Sequence, residues 1–133
     1  MGKIETKKYD IIQNKEYNYH KLYVDGKCRF DDFANDVTGR EESSLKSIYT
    51  MMEMYSSEIS FPKTKFNRIK GIKVEGKELT NIYEFKKDNI RVYLIKHKPN
   101  MYIILGGIKT KQKSDIKKIN QLLNSIKGQI KKI

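Results

Sequence analysis

The chain has 133 residues, 28 Lys plus Arg against 16 Asp plus Glu, a net charge of +12, and 38% apolar residues. At this length a folded chain buries roughly two-thirds of the surface its unfolded form exposes, so one domain, residues 1–133, can hold its own core without disulfides or a structural metal. The single cysteine, Cys28, cannot form an intrachain bridge, and no cysteine-histidine spacing suits zinc. A reduced thiol, no metal and a cytoplasmic location are therefore expected. The opening MGKIETKKYD lacks an apolar stretch of signal-peptide length, and no apolar run approaches the roughly 20 residues of a membrane span; no membrane association is expected. Charge is unevenly divided. Residues 1–61 carry 9 basic and 11 acidic side chains, whereas residues 62–133 carry 19 basic and 5 acidic. Segregation of this kind predicts an anionic partner such as nucleic acid or an acidic protein.

In chain order, residues 1–28 read as short strands around turns, either an N-terminal extension or an extra strand, with Tyr23 and Val24 leading into an Asp25-Gly26 hairpin signal. Phe30, Phe33, Ala34 and Val37 fall at helical spacing, predicting a helix over 29–37, with Asp31, Asp32 and Asp36 on its solvated side. Thr38-Gly39-Arg40-Glu41 has capping-box spacing before a second helix over 41–57 whose stripe is Leu45, Ile48, Tyr49, Met52 and Tyr55. The stripe reads as core and not as a binding surface, although Met51, Met54 and Tyr55 could extend it toward a partner. The run SFPKTKFNRIKGIKVEGKEL lacks periodicity and reads as a loop. Three apolar runs follow, LTNIYEF, IRVYLI and MYIILGGI, separated by KKDN and HKPN, which predicts an antiparallel meander. Ser114 then caps a helix carrying Ile116, Ile119, Leu122, Leu123 and Ile126. The sum is an α+β fold, an N-terminal helical hairpin and a C-terminal helix on one face of a small, mainly antiparallel β-sheet.

The sequence has no phosphate-loop, nucleophile-elbow or zinc-protease motif, and His20 and His97 are isolated. What it offers is cationic. With the first meander turn centred on Asp88-Asn89, Lys86 faces Arg91, Glu84 faces Tyr93 and Ile82 faces Ile95. Two cations directly opposed repel, unless an anion lies between them. Gly106 and Gly107 leave room for a ligand or backbone to approach, and Lys109, Lys111 and Lys113 alternate at strand spacing before the last helix, whose first amides favour an anion.

The stretch IYEFKKDNIRVYLIKHKPNMYIILGGIKTKQKSDIKKINQLL, residues 82–123, resembles the HigB-like, phage-derived branch of the RelE/ParE toxin superfamily. IYEFK stands for that branch's "lyElR" strand, IRVYL for "yRvly", and IILGGIKTKQKSD for "ivlLhgFvKKtqKTp". FNRIKGIK is similar to the segment preceding the meander, and the two N-terminal helices match the family's helical hairpin. The resemblance implies a RelE-like fold and the toxin of a type II toxin-antitoxin system, a metal-independent, ribosome-dependent mRNA endoribonuclease that needs no cofactor. Its implied partners are a cognate helix-turn-helix antitoxin, mRNA and the ribosome. By motif position Lys86 and Arg91 would bind the scissile phosphate, Lys109 and Lys113 would stabilise charge, and Gln112 and Lys111 would hold RNA, with Arg68 and Lys70 adding contacts. The aromatic or histidine common near the end of the family's third strand is replaced by Leu105, Gly106 and Gly107, which leaves the base unassigned: a lysine could serve only where neighbouring cations and burial lower its pKa, and Tyr93 and His97 are spare candidates for acid or base. The alternative is a non-catalytic relative, either a gyrase-directed toxin or a basic nucleic-acid-binding domain.

Overall fold

The computed structural model describes residues 3–12 and 16–132. Among the described residues, eight strands and three helices follow one another as β1 (Ile4–Lys8), β2 (Asn18–Val24), α1 (Arg29–Asp36), α2 (Gly39–Ser56), β3 (Phe66–Arg68), β4 (Lys73–Val74), β5 (Lys77–Glu78), β6 (Ile82–Lys87), β7 (Ile90–His97), β8 (Asn100–Ile108) and α3 (Gln112–Ser125), with 3-10 turns at Lys109–Lys111 and Lys127–Lys132. Six strands form one sheet in the order β1-β2-β8-β7-β6-β3, while β4 and β5 form a separate hairpin. Every neighbouring pair in the large sheet is antiparallel except β2 and β8. The α+β class and the mainly antiparallel sheet are as the sequence predicts. The strands of the first segment are not an appendage, because β2 pairs directly with the meander at Tyr19↔Met101 and His20↔Tyr102.

The helices cover both faces of the sheet, not one. Side chains alternate along each strand: Val92, Leu94, Phe85, Met101 and Ile103 join Phe30, Leu45, Ile48 and Met52 of α1 and α2 in one core. Tyr93, Ile95, Ile82, Tyr102 and Ile104 meet Ile119, Leu122, Leu123 and Ile126 in a second core on the α3 side. Burying both faces follows from runs such as VYLI in β7, which have no polar face to offer water. Among the described residues no helix is long and apolar enough to cross a membrane.

Local chemistry differs from expectation at several points. At the start of α1 the buried Cys28 is the N-cap, its sulfur accepting from the Asp31 amide at 3.4 Å. Asp31 is not simply solvated, since it receives the Lys21 ammonium at 2.8 Å and the Tyr23 hydroxyl at 3.1 Å. Thr38 caps α2 by backbone conformation alone, with no side-chain hydrogen bond. Met51 is buried and Tyr55 accepts from Lys96 at 2.7 Å, so Met54 is the exposed remnant of the proposed extension. The segment read as a loop contains β3, β4 and β5. Its hairpin is tied to α3 by Asn120, which accepts from the Lys73 amide at 2.8 Å, and by Asn124, which donates to the Lys73 carbonyl at 2.8 Å. The last helix begins before Ser114, with Lys111 as its N-cap.

Candidate nucleic-acid interface

The meander register is the predicted one, with Lys86↔Arg91, Glu84↔Tyr93 and Ile82↔Ile95. Neighbouring strands extend the rows, through Asn67↔Glu84 on one side and through Tyr93↔Leu105 and Arg91↔Gly107 on the other. Tyr93 and Leu105 belong to the α3-side core, so by alternation Asn67, Glu84, Lys86 and Arg91 face α3 as well. The result is a polar floor roofed by the first turn of α3.

Arg91 is only 8% exposed. One guanidinium nitrogen, Nη1, donates to the Asp88 and Ile90 carbonyls, both at 2.9 Å, and Nε lies 3.8 Å from Glu84 Oε1. Glu84 is 4% exposed and accepts from Gln112 Nε2 at 3.0 and 3.2 Å and from Asn67 Nδ2 at 3.1 Å. Asp115, from the first turn of α3, is also buried, with Lys118 4.0 Å away. Burial raises the Asp115 carboxyl above its ordinary range, against the opposing pull of Lys118 and Lys111. Burial likewise raises the Tyr93 phenol, and the charges of Glu84 and Asp115 push it further in that direction.

Among the described residues, the buried side-chain atoms without a hydrogen-bond partner in the protein are Asn67 Oδ1, Arg91 Nε, Tyr93 OH and Asp115 Oδ2. All belong to this floor and its roof. A buried donor or acceptor left unsatisfied costs about 1–3 kcal/mol, so these four groups call for a bridging water or the polar groups of a ligand.

The structure brings some predicted residues together and separates others. Lys86, Arg91, Tyr93 and Gln112 share the floor, with Lys86 half-buried. Lys109, Lys111 and Lys113 are exposed, but they do not alternate along a strand: the first two lie in the 3-10 turn and the third in the first turn of α3. Gly106 and Gly107 do not open space for a ligand, because a Cβ at Gly106 would overlap the Phe33 ring and one at Gly107 would overlap the Asp115 carboxylate. Their missing side chains admit the chain's own helices on opposite faces. Arg68 pairs with Tyr83 in register, outside the row of Asn67 and Glu84, and its guanidinium reaches Glu78 of the small hairpin at 3.9 Å. Lys70 is exposed next to Gly71, whose carbonyl accepts from Asn120 on α3, beside the small hairpin. His97 is exposed at the far end of β7, about 20 Å of strand from Arg91. Tyr93 is within the floor but fully buried.

Glu84, Asp115 and Asn67 were not picked out by sequence reasoning. The signal for Glu84 was its place facing Tyr93, inside a strand flanked by apolar neighbours. Compared with known proteins, the chain matches no family model, no curated protein and no solved structure.

Proposed function

We propose that this chain is the RNA-cleaving toxin of a toxin-antitoxin pair, a metal-independent endoribonuclease acting on ribosome-bound mRNA, as its resemblance to the HigB-like branch suggests. The observation that carries the reading is the buried Glu84–Arg91 pair, with Lys86 opposite Arg91 and Gln112 laid across Glu84. Glu84 supplies the general base that the sequence motifs leave unassigned. It removes the proton from the ribose 2′-hydroxyl, whose oxygen attacks the adjacent phosphorus. Arg91 and Lys86 stabilise the equatorial oxygens of the pentavalent transition state. The bond to the 5′-oxygen breaks, leaving a 2′,3′-cyclic phosphate, and the Lys109 or Lys113 ammonium protonates the leaving oxygen. Entry of RNA requires Gln112 to leave Glu84. The exposed lysines around the start of α3 supply the long-range attraction, and a smaller antitoxin neutralises the same face.

The test is incubation with translating ribosomes, followed by mapping of mRNA ends. Lys86→Ala is expected to lower the cleavage rate by about 100-fold without unfolding the protein, because Lys86 is half-buried at the end of its strand. Intact mRNA in the presence of the unaltered protein would sink the enzymatic reading. A second reading, binding without cleavage, is favoured by one observation: Arg91 Nη1 is committed to two backbone carbonyls and the Tyr93 hydroxyl is buried, so the groups at the surface are lysines. It predicts RNA or DNA binding that falls steeply with salt and leaves the strand uncut. A gyrase-directed toxin would instead damage DNA while mRNA persisted.

A further inference from the structure

Among the described residues, strand β1 lies at the edge of the sheet opposite β3, with β2 on one side only. Its sequence, IETKK, is exposed over Glu5, Thr6, Lys7 and Lys8. The direction of each backbone group can be read from the ladder. Lys3 accepts from the Asp25 amide at 2.8 Å, and the Tyr9 amide donates to the Tyr19 carbonyl at 2.8 Å, so the odd-numbered residues bond inward to β2. By the two-residue period of a strand, Ile4, Thr6 and Lys8 direct their N–H and C=O groups outward. The Ile4 amide is taken by Gln129 Oε1 at 3.0 Å.

An extended segment that pairs antiparallel with this edge must set outward-bonding residues opposite outward-bonding residues. For a second copy of β1, three centres do this with at least three residue pairs inside Ile4–Lys8. Centring on Glu5 opposes Glu5 to Glu5, and centring on Lys7 opposes Lys7 to Lys7; like charges directly opposite are unfavourable. Centring on Thr6 opposes Thr6 to Thr6, places Glu5 against Lys7 twice, and sets Ile4 against Lys8. Glu5 and Lys7 then occupy non-hydrogen-bonded pairs, where opposed side chains are closest. Lys7 is already held 4.6 Å above the Tyr23 ring, and Tyr23 is the β2 partner of Glu5, so the ammonium lies on the face where the carboxylate of the other copy arrives. The Thr6 pair exchanges two hydrogen bonds, and each Lys8 amide reaches an Ile4 carbonyl, while the Ile4 amide keeps Gln129. Glu5 and Lys7, each of which disfavours the register centred on itself, together select this one.

We propose that two copies of this chain associate through β1, antiparallel and centred on Thr6, about a two-fold axis that joins their sheets into one. A contact of five residues per strand is small beside a stable dimer interface, so the association is weak and concentration-dependent.

Sedimentation velocity on the full chain over a wide concentration range tests this, and it is independent of any activity on RNA. Growth of a dimer with concentration is expected. Glu5→Lys is expected to weaken it by about tenfold, and Glu5→Lys combined with Lys7→Glu to restore it. Thr6→Pro is expected to abolish it with the circular dichroism unchanged, because the Thr6 amide faces away from β2. A monomer at every concentration overturns the proposal. So does a dimer that Glu5→Lys leaves unaltered, and that result stands even where the proline variant fails to fold.

Discussion

Removing one member of the Glu84–Arg91 pair should destabilise the protein far more than removing both. The two groups are 5% and 10% exposed at their side chains and 3.8 Å apart, so each is the nearest opposite charge for the other in a region sealed by α3. Arg91→Met leaves the Glu84 carboxylate buried with its Gln112 and Asn67 donors but no countercharge, and Glu84→Leu leaves the guanidinium on two backbone carbonyls alone. Breaking a buried pair from one side typically costs about 3 kcal/mol or more, which for a chain of this size lowers the melting temperature by roughly 10 °C. Replacing both with apolar groups of similar volume removes the uncompensated charge. The double variant should therefore lie within about 1–2 kcal/mol of the parent, the residue of the cost coming from the half-buried Gln112 and Asn67 amides, which lose their acceptor. Urea titration of the four proteins at unchanged m-value gives the coupling energy directly. Additive costs, or a cost under about 1 kcal/mol for either single substitution, would refute the view that the pair is electrostatically sealed. The double variant also separates folding from chemistry, because it stays folded while lacking both the proposed base and the phosphate-binding cation.

Two further outcomes test the roof of the site. Gly107→Ala places a methyl group where the Asp115 carboxylate lies; the buried Asp115 side chain must be displaced, at about 1–3 kcal/mol, and Asp115→Ala in the same chain should recover most of that loss in urea midpoint. Asp115 also predicts a pH dependence. Its folded value is raised above the ordinary 3.8 by burial, so the native carboxyl contributes full stability below 3.8 and loses it as the pH rises through the folded value. Asp115→Asn mimics the protonated form, so the variant should be more stable than the parent at neutral pH and equal to it in acid below 3.8; equal urea midpoints at neutral pH would contradict the assignment.

The parts of the fold legible in the sequence are those in which near neighbours decide the conformation. The β6–β7 register followed from the Asp88-Asn89 turn, where Asp88 has a φ of 51°, because a two-residue turn and a two-residue side-chain period leave one alignment. The helices of the N-terminal hairpin were legible because their apolar stripes run for several turns. The short strands between α2 and β6 were not, since β4 and β5 are two residues each and their hairpin is held by Asn120 and Asn124, some fifty residues further along the chain. The lysines after β8 alternated at strand spacing, yet the Lys109 amide bonds the Asn89 carbonyl at the neighbouring turn and the chain tightens there into a 3-10 turn. Tertiary bonding overrode a local pattern.

The candidate site was half legible for a related reason. Charge is written in the sequence and burial is not: Arg91 and Lys86 are both cations in a strand, but one lies beneath α3 and the other at the edge of its shelter. The deciding signal was present in their neighbours. The unbroken apolar run of β7 requires cover on both faces, and once a helix covers the second face, any charged residue there must find a buried partner or pay several kcal/mol. That requirement selects Glu84 as the counterpart of Arg91, places Gln112 and Asp115 above the pair, and leaves the lysines beyond the end of the sheet as the groups that meet solvent. On the RNA-cleaving reading proposed above, the same covering helix would also determine which of the site's cations an incoming phosphate encounters first.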